Sequence, residues 1–168
     1  MLLKFFSNRH SSAYLREMAK EFGESTNSIR HELNNLSQAG YLNSREEGRN
    51  IYYSANTSHP LYPELKNLVH KYLGLDKVLD SIVHKVLSRL GTLKMAFITG
   101  DYAAGRDSGI IDLVMVGEID QAYLRSCVNK VEGLIQRKVR TLVLTAEEFE
   151  ANKKNLNPDK ALVLWQEE

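Results

Sequence analysis

Ser25-Thr26-Asn27-Ser28-Ile29-Arg30-His31-Glu32-Leu33-Asn34-Asn35-Leu36, followed past Ala39-Gly40 by Tyr41-Leu42-Asn43-Ser44-Arg45, Glu46-Glu47-Gly48-Arg49 and Asn50-Ile51-Tyr52-Tyr53-Ser54, decides how the first third of the chain folds. Ile29, Leu33 and Leu36 recur at i, i+4 and i+7, the spacing of one helical face. Ser25 is positioned to cap that helix, and Gly40 suits the left-handed residue that ends it. The next two segments are β-rich and flank a glycine turn, which predicts a hairpin.

Working outward, Leu15, Met18, Ala19 and Phe22 form a second apolar stripe, with Ser12 as its expected cap and Gly23 as its stop. Two short helices across a tight turn make a helix-turn-helix. With the hairpin after them, residues 1–58 read as a winged helix-turn-helix. The opening Met1-Leu2-Leu3-Lys4-Phe5-Phe6 is apolar but short and lacks a small-residue cleavage site. It is expected to begin a helix that runs into the polar sequence after it, not to be a signal peptide.

Away from the Ile29, Leu33, Leu36 stripe, the second helix carries Thr26, Asn27, Ser28, Arg30, His31 and Asn34. Short hydroxyls, amides and one arginine can reach base edges and phosphates in a major groove. Arg45, Arg49 and Asn50 flank the hairpin tip, where a wing would lie along the backbone or minor groove. These nine residues are the expected DNA-binding set, and double-stranded DNA is the expected partner. The match through Ser28 to Leu36, Ala39-Gly40-Tyr41-Leu42, Gly48 to Tyr53 and Ala55-Asn56 resembles the winged-helix domains of ArsR-like transcriptional regulators. That resemblance implies a dimeric DNA-binding regulator. The metal-sensing members use clustered Cys and His ligands. Here the only cysteine is Cys127, and the five histidines have no compact ligand spacing, so no metal site is expected.

Residues 59–91 read as connector helices. Pro60 suits a helix start, with Ser58 or His59 as cap. Leu61, Leu65, Leu68, Val69 and Tyr72 share one face. Leu75, Val78, Leu79, Ile82, Val83, Val86, Leu87 and Leu90 form a stripe too broad for one small contact. Such a helix is wedged between domains, packing on its own C-terminal sheet, or forms a dimer interface, and the two readings are compatible. The linker at Thr57-Ser58-His59-Pro60 is short, so the two ends of the chain are expected to be mechanically connected.

In residues 92–168 a buried strand, Leu93 to Thr99, runs into Gly100-Asp101-Tyr102-Ala103-Ala104-Gly105. A second strand follows from Ile110 to Val116. A helix with Leu124, Val128, Val131 and Ile135 on one face comes next, then a strand from Val139 to Leu144. Thr145 and Glu148 make a capping box, and Ala161 to Trp165 is a final strand or tail. This order resembles the minimal nucleotidyltransferase fold, whose members carry Gly-Ser-(Tyr/Phe)-Ala-Arg-Gly and then Ser-Asp-Ile-Asp-Leu. Gly100, Tyr102, Ala103, Gly105, Asp112 and Leu113 match, whereas Asp101, Ala104 and Ile110 depart. Two carboxylates one residue apart on a strand share a face and hold Mg²⁺. Ile110 removes the first of them, and Asp101 puts negative charge where a phosphate would sit. Arg106 is near enough in sequence to stand in partly for the family's arginine. Gly100, Asp101, Gly105 and Asp112 are therefore read as a vestigial nucleotide site. No catalytic residue, metal or resident cofactor is expected, with a nucleotide and Mg²⁺ as the minor alternative.

The fused order is similar to a family of prokaryotic regulators that join an ArsR-like domain to a nucleotidyltransferase-like domain. The expected fold is α+β: an N-terminal winged helix-turn-helix, a helical connector, and a C-terminal α/β domain with a small mixed sheet. The expected function is sequence-specific transcriptional regulation by a homodimer, with a small molecule or nucleotide as candidate effector. Two alternatives are an active nucleotidyltransferase dependent on Asp112, and an antitoxin-like module that binds another chain through residues 75–90. Across 168 residues, 43% are hydrophobic and the net charge is +1, so DNA binding must come from a local arrangement and not a global field. No apolar run approaches the roughly 20 residues of a membrane span. With a single cysteine, the expected location is the cytoplasm.

Overall fold

The computed structural model describes residues 1–85 and 92–167. Over these residues the protein is mixed α+β with two separate sheets. The N-terminal unit runs α1 (Leu2–Phe6), β1 (Ser12–Tyr14), α2 (Leu15–Phe22), α3 (Thr26–Gln38), β2 (Leu42–Glu47) and β3 (Asn50–Ala55). Next come α4 (Tyr62–Leu73) and α5 (Leu75–Val78), which continues into a π-helical turn at Leu79–Val83. The C-terminal unit runs β4 (Leu93–Thr99), α6 (Gly100–Ala103), β5 (Ile110–Gly117), α7 (Gln121–Ile135), β6 (Lys138–Leu144), α8 (Ala146–Leu156) and β7 (Leu162–Gln166). No described helix is long and apolar enough to cross a membrane.

Around α3 the local chemistry acts as the sequence predicts. The Ser25 hydroxyl accepts from the Ser28 N–H at 3.1 Å, filling one of the unpaired donors of the first turn. Gly23 ends α2 with φ 67°, in the left-handed region open to glycine. Ile29 and Leu33 are buried, and Leu36 packs at the edge. Two local expectations fail. Ser12 does not cap a helix. It belongs to β1, which pairs antiparallel with β3 through Ser12↔Ser54 and Tyr14↔Tyr52, so α2 starts only at Leu15. The opening helix stops at Phe6 and does not run on. Phe5 and Phe6 are fully buried, which fixes α1 against α4. Each such side chain contributes about 1.5–3 kcal/mol on burial.

The connector also departs from expectation. Pro60 does not open a helix. The His59 ring and carbonyl accept the N–H groups of Leu61 and Tyr62, and α4 begins at Tyr62 with Pro63 in its first turn. Leu75, Val78, Ile82 and Val83 are buried against α7 and β7, so the broad stripe covers its own C-terminal unit as far as it is described. Its remaining members, 86, 87 and 90, lie outside the described residues. Among the described residues of the connector, the exposed large apolar side chains are Leu61, Leu68 and Tyr72.

The C-terminal sheet has the order β6-β5-β4-β7, with β5 and β6 parallel and the other pairs antiparallel. Parallel neighbours need a crossover, and α7 supplies it. Thr145 and Glu148 form both bonds of the capping box on α8. Residues after Ala161 settle as strand β7 beside β4. One apolar core continues from Phe5, Met18 and Leu33 through Leu75 to Ile98, Ile111 and Val131. Polar contacts tie the same joint. Asn8 Nδ2 donates to the carbonyls of Ala103 and Lys160 at 2.9 and 3.0 Å. A Cβ on Gly105 would lie 2.7 Å from Leu3 O and from Lys4 Cα, so α1 and the turn after α6 meet backbone to backbone.

Candidate functional site

The side of α3 opposite Ile29 and Leu33 is open to solvent from Thr26 to Asn34. Between this helix and the β2–β3 hairpin lies a groove of about 560 Å³. Leu33, Ile51 and Tyr53 line part of it, while Arg30, Asn34, Arg49 and Asn50 supply its polar groups. Four of the nine residues expected from sequence are thus brought together. Arg16, at the start of α2, joins them and was not anticipated. It arrives there because β1 pairs with β3, packing the Tyr14 ring on Tyr52 with centroids 5.3 Å apart and setting the first turn of α2 beside the hairpin. A three-residue strand is too short to show an alternating pattern, so the sequence carries no signal for this placement.

Arg16, Arg30 and Arg49 have no ion pair within the described residues. Guanidinium forks match phosphate oxygens or the O6/N7 edge of guanine, and an asparagine amide matches adenine. The other expected residues are placed differently. Thr26, Asn27 and Ser28 are exposed on the first turn of α3, outside the groove lining, and the Ser28 N–H is spent on the Ser25 cap. Asn35 Nδ2 and His31 Nδ1 lie 3.1 Å apart, so these two side chains are hydrogen-bonded to each other on the helix surface. Arg45 pairs with Glu47 at 2.7 Å along the hairpin. Both side chains are well exposed, so that pair is worth about 0–1 kcal/mol and can give way to a phosphate.

The four residues read as a vestigial nucleotide site do not converge on one opening. Gly100 and Asp112 are neighbours, since a Cβ on Gly100 would lie 2.9 Å from Asp112 Oδ2. Asp112 stands opposite Arg140 in the parallel register of β5 and β6. Arg140 Nε and Nη2 donate to its two oxygens at 2.6 and 2.9 Å. Asp101 accepts from Arg106 Nε and Nη2 at 3.0 and 2.6 Å, and this bonding holds its carboxyl below the usual range. Arg106 therefore neutralises Asp101. Gly105 is buried in the joint with α1. Ile110 stands two residues before Asp112 on β5, on the same strand face, where a second carboxylate would be needed. Among the described residues no group of three or more His, Cys, Asp or Glu could hold a metal ion.

A further polar network escaped the sequence reading. The Tyr102 hydroxyl donates to Asp107 Oδ1, and Arg137 Nε and Nη2 donate to the same carboxylate at 3.2 and 2.6 Å. Arg137 lies over the Tyr72 ring, 5.5 Å from its centroid. Hydrogen bonds from Arg137 are the main cause of an Asp107 pKa of about 2, and burial is the main cause of a Tyr102 phenol pKa far above its usual value. The network ties α6, the loop before β5, the end of α7 and α4 together. No protein-family model matches the chain, and no curated protein or solved structure matches it significantly.

Proposed function

We propose that this protein is a sequence-specific DNA-binding transcriptional regulator. The N-terminal unit acts as a winged helix-turn-helix, with α3 as recognition helix and β2–β3 as wing. The observation that carries the reading is the groove in which Arg16, Arg30 and Arg49 converge with no ion pair among the described residues, beside the amides of Asn34 and Asn50. At 13 residues α3 spans about 20 Å, and B-DNA's major groove is about 12 Å wide, so its exposed face can reach several base pairs. The C-terminal unit is read as a nucleotidyltransferase-like scaffold kept for sensing or dimerisation. Its carboxylates Asp101 and Asp112 are each engaged by an arginine, and Ile110 supplies none, which supports a non-catalytic role. The protein works as a homodimer in this reading, and the exposed row Leu61, Leu68 and Tyr72 on and before α4 supports a shared apolar face.

The test is a gel-shift titration on the DNA upstream of its own gene, run at two salt concentrations. Selective binding that weakens with salt is expected. Arg30→Ala and Arg49→Ala should each cost about 1–3 kcal/mol where the arginine touches a base, or lower the log–log salt slope by about 0.9 where it touches a phosphate. Binding that is unselective, or unaffected in both variants, would sink the proposal.

A further inference from the structure

The N- and C-terminal units also meet over a cleft of about 510 Å³ that the α3 groove and the Asp112 strand leave unused. Lys4, His10 and Glu17 line it from the N-terminal unit, and Gly100, Arg106 and Lys160 from the C-terminal one. We propose that this cleft binds a small multivalent anion, phosphorylated or polycarboxylate, and that its occupancy alters DNA affinity. The regulatory half rests on the DNA-reading function proposed above.

Three observations support the site. The first is charge. Three permanent cations line the cleft against one carboxylate, Glu17. Lys4 is spoken for by Glu21, and Arg106 gives Nε and Nη2 to Asp101. The Lys160 ammonium has no ion pair within the described residues, and Arg106 keeps one terminal nitrogen outside its pair with Asp101. An anion bridging those two groups gains charge-assisted bonds without breaking a buried pair. The second is the rest of the lining. Ser11, Asn155 and Asn157 add hydroxyl and amide groups, the donors that complete an oxyanion shell. The third is scale and rigidity. The volume suits a small molecule, and junctions between structural units are favoured places for such sites. Asn8 pins the floor through the Ala103 and Lys160 carbonyls, so the backbone that carries Lys160 is already in place.

The same geometry connects the cleft to the groove. Glu17 in the cleft is adjacent on α2 to Arg16 in the groove. Arg106 also lies within electrostatic reach of Glu17 and Glu21 on α2. An anion that takes up Arg106 loosens that attraction and so acts directly on the helix that presents Arg16. A ligand changes DNA affinity only through such a difference between bound and free states.

Calorimetric titration of the full chain with sodium pyrophosphate, and separately with sodium citrate, tests the site and separates the two anion sources. At least one probe should bind with Kd below about 1 mM. Lys160→Glu should weaken it about tenfold or more, and Ala104→Trp, which fills the cleft without changing charge, should do likewise. Arg140→Gln, on Asp112 and outside the cleft, should leave it unchanged. No heat with either probe, or wild-type affinity in both cleft variants, overturns the proposal. The regulatory half is read by repeating the gel shift with the bound probe at fixed ionic strength. A change of about fivefold or more in wild type, absent in Lys160→Glu, is expected. Equal DNA affinity with and without the probe overturns that half. Because the calorimetry contains no DNA, failure of the DNA-reading function leaves a distinct signature: anion binding without any gel shift.

Discussion

Lys4 and Glu21 form a buried ion pair that joins α1, which abuts the C-terminal unit at Gly105, to α2, which carries Arg16. Lys4 Nζ lies 2.7 Å from Glu21 Oε2, and the two side chains are only 5% and 13% exposed. The second carboxylate oxygen, Oε1, is buried and has no hydrogen-bond partner among the described residues. Lys4→Met keeps the stem and removes the charge, leaving Glu21 ionised, buried and unpaired. Removing one member of such a pair costs about 3–5 kcal/mol, against a total stability of about 5–15 kcal/mol for a typical domain. Glu21→Leu should cost a similar amount by stranding the ammonium. The double variant Lys4→Met/Glu21→Leu leaves no charge behind and should fall within about 1 kcal/mol of wild type or exceed it, because well-packed apolar residues often replace a buried pair at no cost. Urea unfolding of the four proteins gives the coupling free energy directly. If each single variant costs less than about 1 kcal/mol, the pair behaves like an exposed one and the reasoning fails.

Gly105→Ala should cost at least about 2 kcal/mol in the same assay, since φ 77° and a Cβ 2.7 Å from the α1 backbone act together; Gly48→Ala, with φ 61° and open space, should cost only about 1–2 kcal/mol. Asp107 has a folded pKa of about 2, below its unfolded value, so its contribution to stability is full above about pH 4 and is lost as pH falls through 2. Thermal melts of Asp107→Asn should therefore lie below wild type at neutral pH and lack that part of the acid loss; parallel melting curves down to pH 2 would contradict this. Wild-type protein should sediment as a dimer of the 19.1 kDa chain, and Leu61→Glu/Leu68→Glu as a folded monomer, because both side chains are exposed in the single chain at 47% and 59%. A monomeric wild type would remove the dimer from the proposed function.

Features set by neighbours along the chain were legible in the sequence. Ser25 capping α3, the Ile29 and Leu33 stripe, and the Thr145–Glu148 capping box depend on spacings of three or four residues, and all three form. The failures have two causes, pairing at long range around β1 and a local turn at His59. β1 is three residues long and too short to show an alternating pattern, so Ser12 looks like a helix cap until Ser54 is placed beside it. A helix opening at Pro60 under a Ser58 or His59 cap does not form: the His59 ring accepts from Leu61 N–H and the helix begins two residues later, at Tyr62. Arg16 became a groove residue only through the same β1–β3 pairing.

The gap at Ile110 shows how the two levels combine. Sequence alone reveals that one of two same-face carboxylates is missing on β5. It does not reveal that Arg140 faces the survivor, because that contact depends on the parallel register between strands 28 residues apart in sequence. Restoring an acid at Ile110 would place a second carboxylate near a guanidinium already forked onto Asp112, so the arginine competes with any cation for the pair. Asp101 has the same arrangement with Arg106. A site that had lost only one ligand would leave its remaining carboxylate seeking a counter-charge. Here each carboxylate has its own arginine, Arg106 on Asp101 and Arg140 on Asp112. Of the three permanent cations that line the cleft, Lys160 is the one with no ion pair among the described residues.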